Sequence, residues 1–227
     1  MKAHAIIVAA GQSIRFGGNT PKQFVSVCGR PLLAWTISRF EAASSIEAIT
    51  IVAPADCMNL ADQAVRASDG TKVKEIVPGG ETRSESVLAG LRGCSDEAGL
   101  VAIHDGARPL VAPSDIDRVV SAATSGEAAM LAIPASDAIK RTHEGVVVTT
   151  VDRRGLYYAQ TPQVFEVGVI REAHLQRGRR SFADDAALVE EAGVTVRIVE
   201  PTYPNIKVTR PEDLMLIEGV LRRELHV

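Results

Sequence analysis

The segment from Ala9 to Gln23, AAGQSIRFGGNTPKQ, joins a bare backbone to two fixed positive charges. Ala9, Ala10 and Gly11 carry almost no side chain, and Arg15 and Lys22 follow in the same loop. Backbone N–H groups beside paired cations can hold a polyphosphate. The loop is not a Walker A sequence, because no Gly-Lys-Ser/Thr follows its glycines. Nor is it the dinucleotide fingerprint, since Ser13 and Phe16 stand where that pattern needs glycine. The bland alternative is a strand-to-loop turn with surface charges.

Three further segments offer chemistry. In PGGETRSES, Pro78 to Ser86, the glycines Gly79 and Gly80 let a flat ligand such as a base approach, and Glu81 and Ser86 can hydrogen-bond to it. The same residues also describe a turn before an acid-capped helix. In HDGARP, His104 to Pro109, Asp105 can face a Mg2+ or a ribose hydroxyl, and Arg108 can pair with a phosphate or with Asp105. His104 reads as a packed or hydrogen-bonded histidine, because no second His or Cys stands at ligand spacing. In NIKVTRPED, Asn205 to Asp213, Lys207 sits between Ile206 and Val208 in what reads as a strand. Burying its stem is costly unless the charge meets an anion. A phosphate is one partner, and an outward turn to solvent is the alternative. Arg153 and Arg154 add two more cations that spacing cannot tell apart.

Strand-like and helix-like segments alternate around these sites. His4 to Val8, Ala48 to Ala53, Val73 to Val77, Leu100 to Ile103 and Ala129 to Ile133 read as buried strands. Pro31 to Ala43, Asp56 to Ala67, Thr82 to Leu91 and a segment capped by Ser114 through Ala123 read as helices. Later come a helix at Asp184 to Glu191, a strand at Val194 to Val199 and a helix from Pro211 to Leu225, with proline in its first turn. Such alternation predicts one α/β domain over residues 1–227: a Rossmann-like, three-layer, mostly parallel sheet with helices on both faces. The four chemical segments then fall at strand ends lining one crevice, the usual ligand position. Residues 137–152 break the rhythm: Ile139 to Thr142 and Val146 to Val151 flank His143-Glu144-Gly145, which predicts an inserted β-hairpin with a three-residue loop. Such a hairpin is either a decoration or an arm that grips a second subunit.

Bulk properties narrow the classes. The chain has 227 residues, 46% of them hydrophobic and 23% charged, with a net charge of -3. That is ordinary for a globular protein and carries no nucleic-acid footprint. No stretch approaches the ~18 apolar residues of a membrane span. The three cysteines, Cys28, Cys57 and Cys94, form no CxxC pair, which fits a reduced, cytoplasmic protein.

Taken in order, AAG with Arg15 and PKQ, GGETRSESV, HDGARP, VDRRGL after the hairpin, AQTPQVF, DDAALVE and NIKVTRPEDL resemble the 2-C-methyl-D-erythritol 4-phosphate cytidylyltransferase family over nearly the whole chain. The resemblance implies transfer of CMP from CTP to a methylerythritol phosphate, with a divalent cation such as Mg2+. It implies that Arg15 and Lys22 stabilise charge on the triphosphate, and that Arg153 and Lys207 position the acceptor phosphate with Arg108 nearby. It places the nucleotide on Ala9, Ala10, Gly11, Gly80, Glu81, Ser86, Asp105 and Gly106, with Asp105 as a metal-ligand candidate. It also implies a homodimer, formed through the hairpin arm, in which Arg153 serves the neighbouring subunit.

The residues agree with that chemistry. A phosphate monoester is largely anionic at neutral pH and needs alignment and charge neutralisation rather than a serine nucleophile. Four positions depart from the usual family pattern: Ser13 for Gly, Gly106 for Ala, and Ala138 and Ala183 where threonines are common. The two alanines keep another polyol phosphate, such as ribitol 5-phosphate, open as the acceptor. A catalytically silent nucleotide-binding or dimerisation module is the reading from a different class. Retention of both Arg15 and Lys22 argues against it.

Overall fold

The computed structural model describes residues 1–11, 16, 20–94, 99–178, 180 and 182–225. Arg15 and Ser13 lie outside the described residues. The chain runs β1 (Ala3–Val8), β2 (Ser26–Val27), β3 (Arg30–Pro31), α1 (Leu32–Ala42), β4 (Ile46–Ala53), α2 (Met58–Ala67), β5 (Val73–Pro78), α3 (Arg83–Gly93) and β6 (Leu100–Asp105). It continues through α4 (Pro113–Ala122), β7 (Glu127–Pro134), β8 (Ile139–His143), β9 (Val146–Val151), β10 (Tyr157–Glu166), α5 (Val167–Gln176), α6 (Asp185–Glu191), β11 (Thr195–Val199) and α7 (Asp213–Glu224). Short 3-10 turns cover Lys22–Phe24 and Ala55–Cys57.

Among the described residues the main sheet has seven strands in the order β11-β7-β10-β6-β1-β4-β5. Only β10 runs antiparallel to its neighbours, β6 and β7. The others pair in parallel, as the unbroken apolar runs of β1, β4 and β6 require, since strands covered on both faces need no polar side. Alternation sorts the two faces. From β1, Ala3, Ala5 and Ile7 meet Ile37 and Phe40 of α1, with α2 and α4 in the same layer. Ile6 points the other way, to Val87 and Leu91 of α3, Ile170 of α5 and Val189 of α6. The fold is therefore the expected α/β sheet between two helical layers. A smaller cluster seats α7, through Ile217 and Leu221, against Leu32 and Trp35 at the start of α1.

Several local expectations change. Residues 157–176, to which the sequence reading assigns no element, form β10 and α5. The burial of β10 explains why no alternation shows there: its first three residues are exposed and the next six are buried. Ser114 is not a cap: Ala112 precedes the helix and Pro113 opens it, a position that suits proline's fixed φ. Helix α7 starts at Asp213, after Pro211, because Asp213 accepts hydrogen bonds from the backbone N–H groups of Thr209 and Arg210 and turns the chain before the helix. Lys207 lies in no strand. In the hairpin, His143 pairs with Val146, so the loop is two residues, Glu144 and Gly145. Both have positive φ, 50° and 80°, as the tight turn matched to strand twist demands.

Candidate active site

Three segments converge at the C-terminal ends of parallel strands. The Ala9–Gly11 loop leaves β1, Gly79 and Gly80 leave β5, and Asp105 closes β6. Backbone bonds lock them edge to edge. Ala9 N–H donates to Val52 O at 2.7 Å, Gly79 N–H to Ala53 O at 2.8 Å, and Gly106 N–H to Val8 O at 2.8 Å. A Cβ on Gly79 would lie 2.4 Å from the Cβ of Ala10, so only glycine lets these two loops touch. Ser86 sits beneath: its hydroxyl accepts from Gly80 N–H at 3.3 Å and donates to Thr82 O at 3.0 Å. Thr82 and Glu85 form a reciprocal capping box that starts α3.

Gln23, the last residue of PKQ, has a role that its motif does not reveal. Its side chain is 2% exposed, and its amide donates to the carbonyls of Ala9 at 2.5 Å and Gly11 at 3.2 Å. It thereby ties the 3-10 turn bearing Lys22 to the loop after β1. A buried glutamine in PKQ is a short signal, and only its partners reveal what it does.

These segments wall a cavity of about 170 Å³. Ala9, Ala10, Gly11 and Lys22 form one side, Gly80, Glu81 and Ser86 another, and Asp105 and Lys207 a third. Gly106 does not line it. Its N–H and carbonyl are spent on Val8 and on the Thr36 hydroxyl, and Ala107 takes its place at the wall. Arg108 borders a separate open groove of about 460 Å³ with Gln160, Tyr203 and Asn205, and Lys207 borders both spaces. Arg153 belongs to neither. It is exposed just beyond the hairpin, whereas neighbouring Arg154 is paired with Asp152 at 2.5 Å. The structure thus separates two cations that spacing could not.

Asp105 is the centre of the electrostatics. Lys207 Nζ donates to its Oδ2 at 2.7 Å, Arg83 Nε to its Oδ1 at 3.3 Å, and Arg108 Nε stands 3.7 Å away. Burial alone would push this carboxyl up. The charges of Lys207, Arg83 and Arg108 outweigh burial and hold it well below the usual range. The anion that meets Lys207 in this structure is therefore a carboxylate, and the segment reaches it because Val208 N–H bonds to Ala107 O at 2.9 Å. Arg108 also donates to Asn205 O at 2.7 Å. Arg83, absent from the sequence candidates, bridges Asp105 to Asp185 at 2.6 Å.

His104 is structural, as its sequence context suggests. It is fully buried, and Nε2 lies 3.2 Å from Arg108 O, which can only accept. Nε2 therefore carries the proton, and Nδ1 accepts from the Thr161 hydroxyl at 3.0 Å. That hydroxyl oxygen accepts in turn from Asp105 N–H at 3.1 Å. Burial pushes His104 down to about 3, so the ring stays neutral while it holds the Asp105 backbone in place.

The arrangement is a small cavity partly walled by bare backbone, with three cations gathered on one carboxylate. Residues 3–223 match the family model for 2-C-methyl-D-erythritol 4-phosphate cytidylyltransferase. The chain belongs to this family. A relative of that name from Pelotomaculum thermopropionicum is 41% identical, over 97% of this chain and 94% of that protein. Among solved structures, the 2-C-methyl-D-erythritol 4-phosphate cytidylyltransferase of Thermus thermophilus superposes with a TM-score of 0.80 at 32% identity, covering 98% of this chain and 100% of that one. The 4-diphosphocytidyl-2C-methyl-D-erythritol synthase of Anaerococcus prevotii gives 0.84 at 26% identity, covering 97% and 96%. The cytidylyltransferase family is one of nucleotidyltransferases.

Proposed function

We propose that this protein transfers CMP from CTP to 2-C-methyl-D-erythritol 4-phosphate, giving 4-diphosphocytidyl-2-C-methyl-D-erythritol and pyrophosphate. A phosphate oxygen of the acceptor attacks the α-phosphorus of CTP. The bond from that phosphorus to the bridging oxygen breaks, and the electron pair leaves with pyrophosphate. The single observation that carries the reading is the position of Lys207, which borders both the cavity under the Ala9–Gly11 loop and the groove beside Arg108. A nucleotide in the first and an acceptor phosphate in the second would meet at its ammonium group.

The roles follow from charge. The backbone of Ala9, Ala10, Gly11 and Gly80, with Glu81 and Ser86, receives the nucleotide. Lys22, with Arg15, neutralises the triphosphate and the departing pyrophosphate, the main catalytic need when a dianion approaches a polyanion. Lys207 and Arg108 receive the acceptor phosphate. Among the described residues no cluster of three metal-binding side chains exists. Asp105 is a hard oxygen donor facing the cavity; its Oδ2, now held by Lys207, would be open once that lysine moved to a phosphate, and one carboxylate oxygen plus phosphate oxygens is a donor set Mg2+ accepts. When bound, the ion would supply further charge neutralisation on the triphosphate.

The hairpin supports a homodimer. Apart from the half-buried pair Ile139 and Val151 at its base, both of its strands are exposed, and Val146, Val147 and Val148 are 68%, 56% and 63% exposed. A two-stranded ribbon alone is marginal in water, so a second copy covering these valines accounts for it. The arm would then carry Arg153 to the partner's acceptor groove. No helix among the described residues is long and apolar enough to cross a membrane. Three free thiols fit a reducing cytoplasm.

The test is pyrophosphate release from CTP and Mg2+ across an acceptor panel. Release with methylerythritol phosphate and none without an acceptor is expected. Release with ribitol 5-phosphate alone would move the assignment to that acceptor, which Ala138 and Ala183 keep in view. Lys22→Ala should lower turnover far more than CTP affinity, and unchanged turnover would remove Lys22 from the mechanism.

A further inference from the structure

Three cations surround Asp105, and they are not equivalent. Arg108 has one arm on Asn205 O at 2.7 Å, and its side chain is 11% exposed. Arg83 uses Nε for Asp105 and Nη1 for Asp185 Oδ2, so its fork spans two carboxylates. Lys207 is the most exposed of the three, at 37%, and donates to Asp105 alone among the described residues. Asp185 lies on α6 and is 2% exposed. Its other oxygen, Oδ1, faces His174 Nε2 of α5 at 3.4 Å, and the His174 side chain is wholly buried with no closer partner for either ring nitrogen. A chain of contacts therefore runs from the helical layer, His174 to Asp185 to Arg83, into the carboxylate at the cavity wall.

Charge counting shows what this chain does. Arg83, Arg108 and Lys207 carry three positive charges, and Asp105 and Asp185 two negative ones, so the cluster has one cation in surplus. Asp185 fixes which one. Because Arg83 is held from behind, it stays on Asp105 when a phosphate arrives, and Lys207 can exchange its carboxylate for the phosphate without stranding a buried anion. Stranding one is costly, since an unpaired buried carboxylate loses both water and partner.

We infer that Asp185, backed by His174, is a positioning residue that keeps Arg83 as the standing counter-ion of Asp105 and so frees Lys207 for the substrate phosphate. The inference rests on the cytidylyl-transfer reading above. It adds a residue 80 positions from Asp105 in sequence, on a helix that does not line the cavity.

The experiment is a double-mutant cycle on the full-length protein, with CTP affinity, kcat and thermal midpoint measured for wild type, R83A, D185N and R83A/D185N. D185N keeps the side-chain shape but loses the charge. It should lower kcat by about 10- to 100-fold, the scale of a catalytic group misplaced by an ångström, with CTP affinity within about threefold of wild type. In the R83A background it should cost nothing further, because its partner is gone. Additive losses would overturn the inference, as would wild-type kcat in D185N; a merely structural pair would lower the thermal midpoint and leave kcat of the folded protein unchanged, which would overturn it too. R83K guards against misfolding of D185N: lysine keeps the charge but cannot span two carboxylates, and should lose kcat to a similar degree. Wild-type turnover in R83K would equally overturn it. If wild type itself releases no pyrophosphate with any acceptor, the functional reading fails instead.

Discussion

Replacing Gly79 by alanine tests the claim that two loops in contact build the cavity. The added Cβ would stand 2.4 Å from Ala10 Cβ, 2.8 Å from Ser86 Oγ and 3.3 Å from Val52 Cγ1. Carbon atoms pack comfortably at about 3.5–4.0 Å, so Ala10 or Gly79 must retreat by about 1 Å or more. Neither yields easily. The loop after β1 is held by the Ala9 N–H bond to Val52 O and by the Gln23 amide, and Gly79 is bonded to Ala53 O. Overpacking of this kind costs about 1–3 kcal/mol. For a chain of this size each kcal/mol lowers the melting temperature by about 2–4 °C. The same shift moves the backbone that receives the nucleotide, and CTP affinity should fall by about tenfold or more, equivalent to about 1.4 kcal/mol. Thermal unfolding and calorimetric titration with CTP read the two effects separately. Gly219→Ala is the control: its Cβ meets nothing within 4 Å in the middle of α7, and alanine there should stabilise by about 0.5–1 kcal/mol. A Gly79→Ala protein with wild-type melting and wild-type CTP affinity would refute the loop contact.

Thr82→Ala removes the capping box at the start of α3 and should cost about 1 kcal/mol in urea unfolding; no loss would show that the cap contributes nothing. His104 gives a pH signature. Burial keeps its folded-state value near 3, so below about pH 6.5 the unfolded chain takes up a proton that the folded chain refuses. Stability then falls as pH falls, at about 1.4 kcal/mol per pH unit for this group. His104→Gln should flatten the difference in unfolding free energy between pH 6.5 and 5.5 by about 1 kcal/mol. Part of the slope should survive, because burial also lowers His4. Replacing Val146 and Val148 by serine should weaken self-association in sedimentation equilibrium, and an unchanged dimer would move the interface off the arm. Mixing Arg153→Ala with Lys22→Ala protein should recover activity above either parent if the arm serves the partner's site. Mixed dimers that never exceed the parents would sink that exchange.

Much of the fold was legible because its signals are local. Buried apolar runs such as Ile6 to Val8 and Ile49 to Ala53 announce parallel strands, and the helices between them repeat at helical spacing. Strand β10 and helix α5 escaped because Gln160, Thr161 and Gln163, all buried, put polar residues where a core strand should be apolar. Those groups are tolerated only through partners elsewhere: Asn205 with Gln160 Oε1 and Thr161 O, His104 with the Thr161 hydroxyl, and Asp184 and Ala186 with the Gln163 amide. No window along the chain contains them.

The candidate site divides the same way. Sequence by itself determined that bare backbone, Lys22 and Asp105 would stand near strand ends, because a parallel sheet delivers the ends of its strands to one edge. Only the tertiary structure decided how their charges are shared. Lys207 and Asp105 are 102 positions apart, as are Arg83 and Asp185. Lys207 is spaced to look like a strand residue, yet it sits in an irregular segment held to the loop after β6 by a backbone bond from Val208 to Ala107. Arg83 looks like an ordinary first-turn helix residue, yet it links two buried carboxylates. Ion pairing depends on distance in space and on exclusion of water, and both are set by the packing of helices on the sheet rather than by neighbours in the chain.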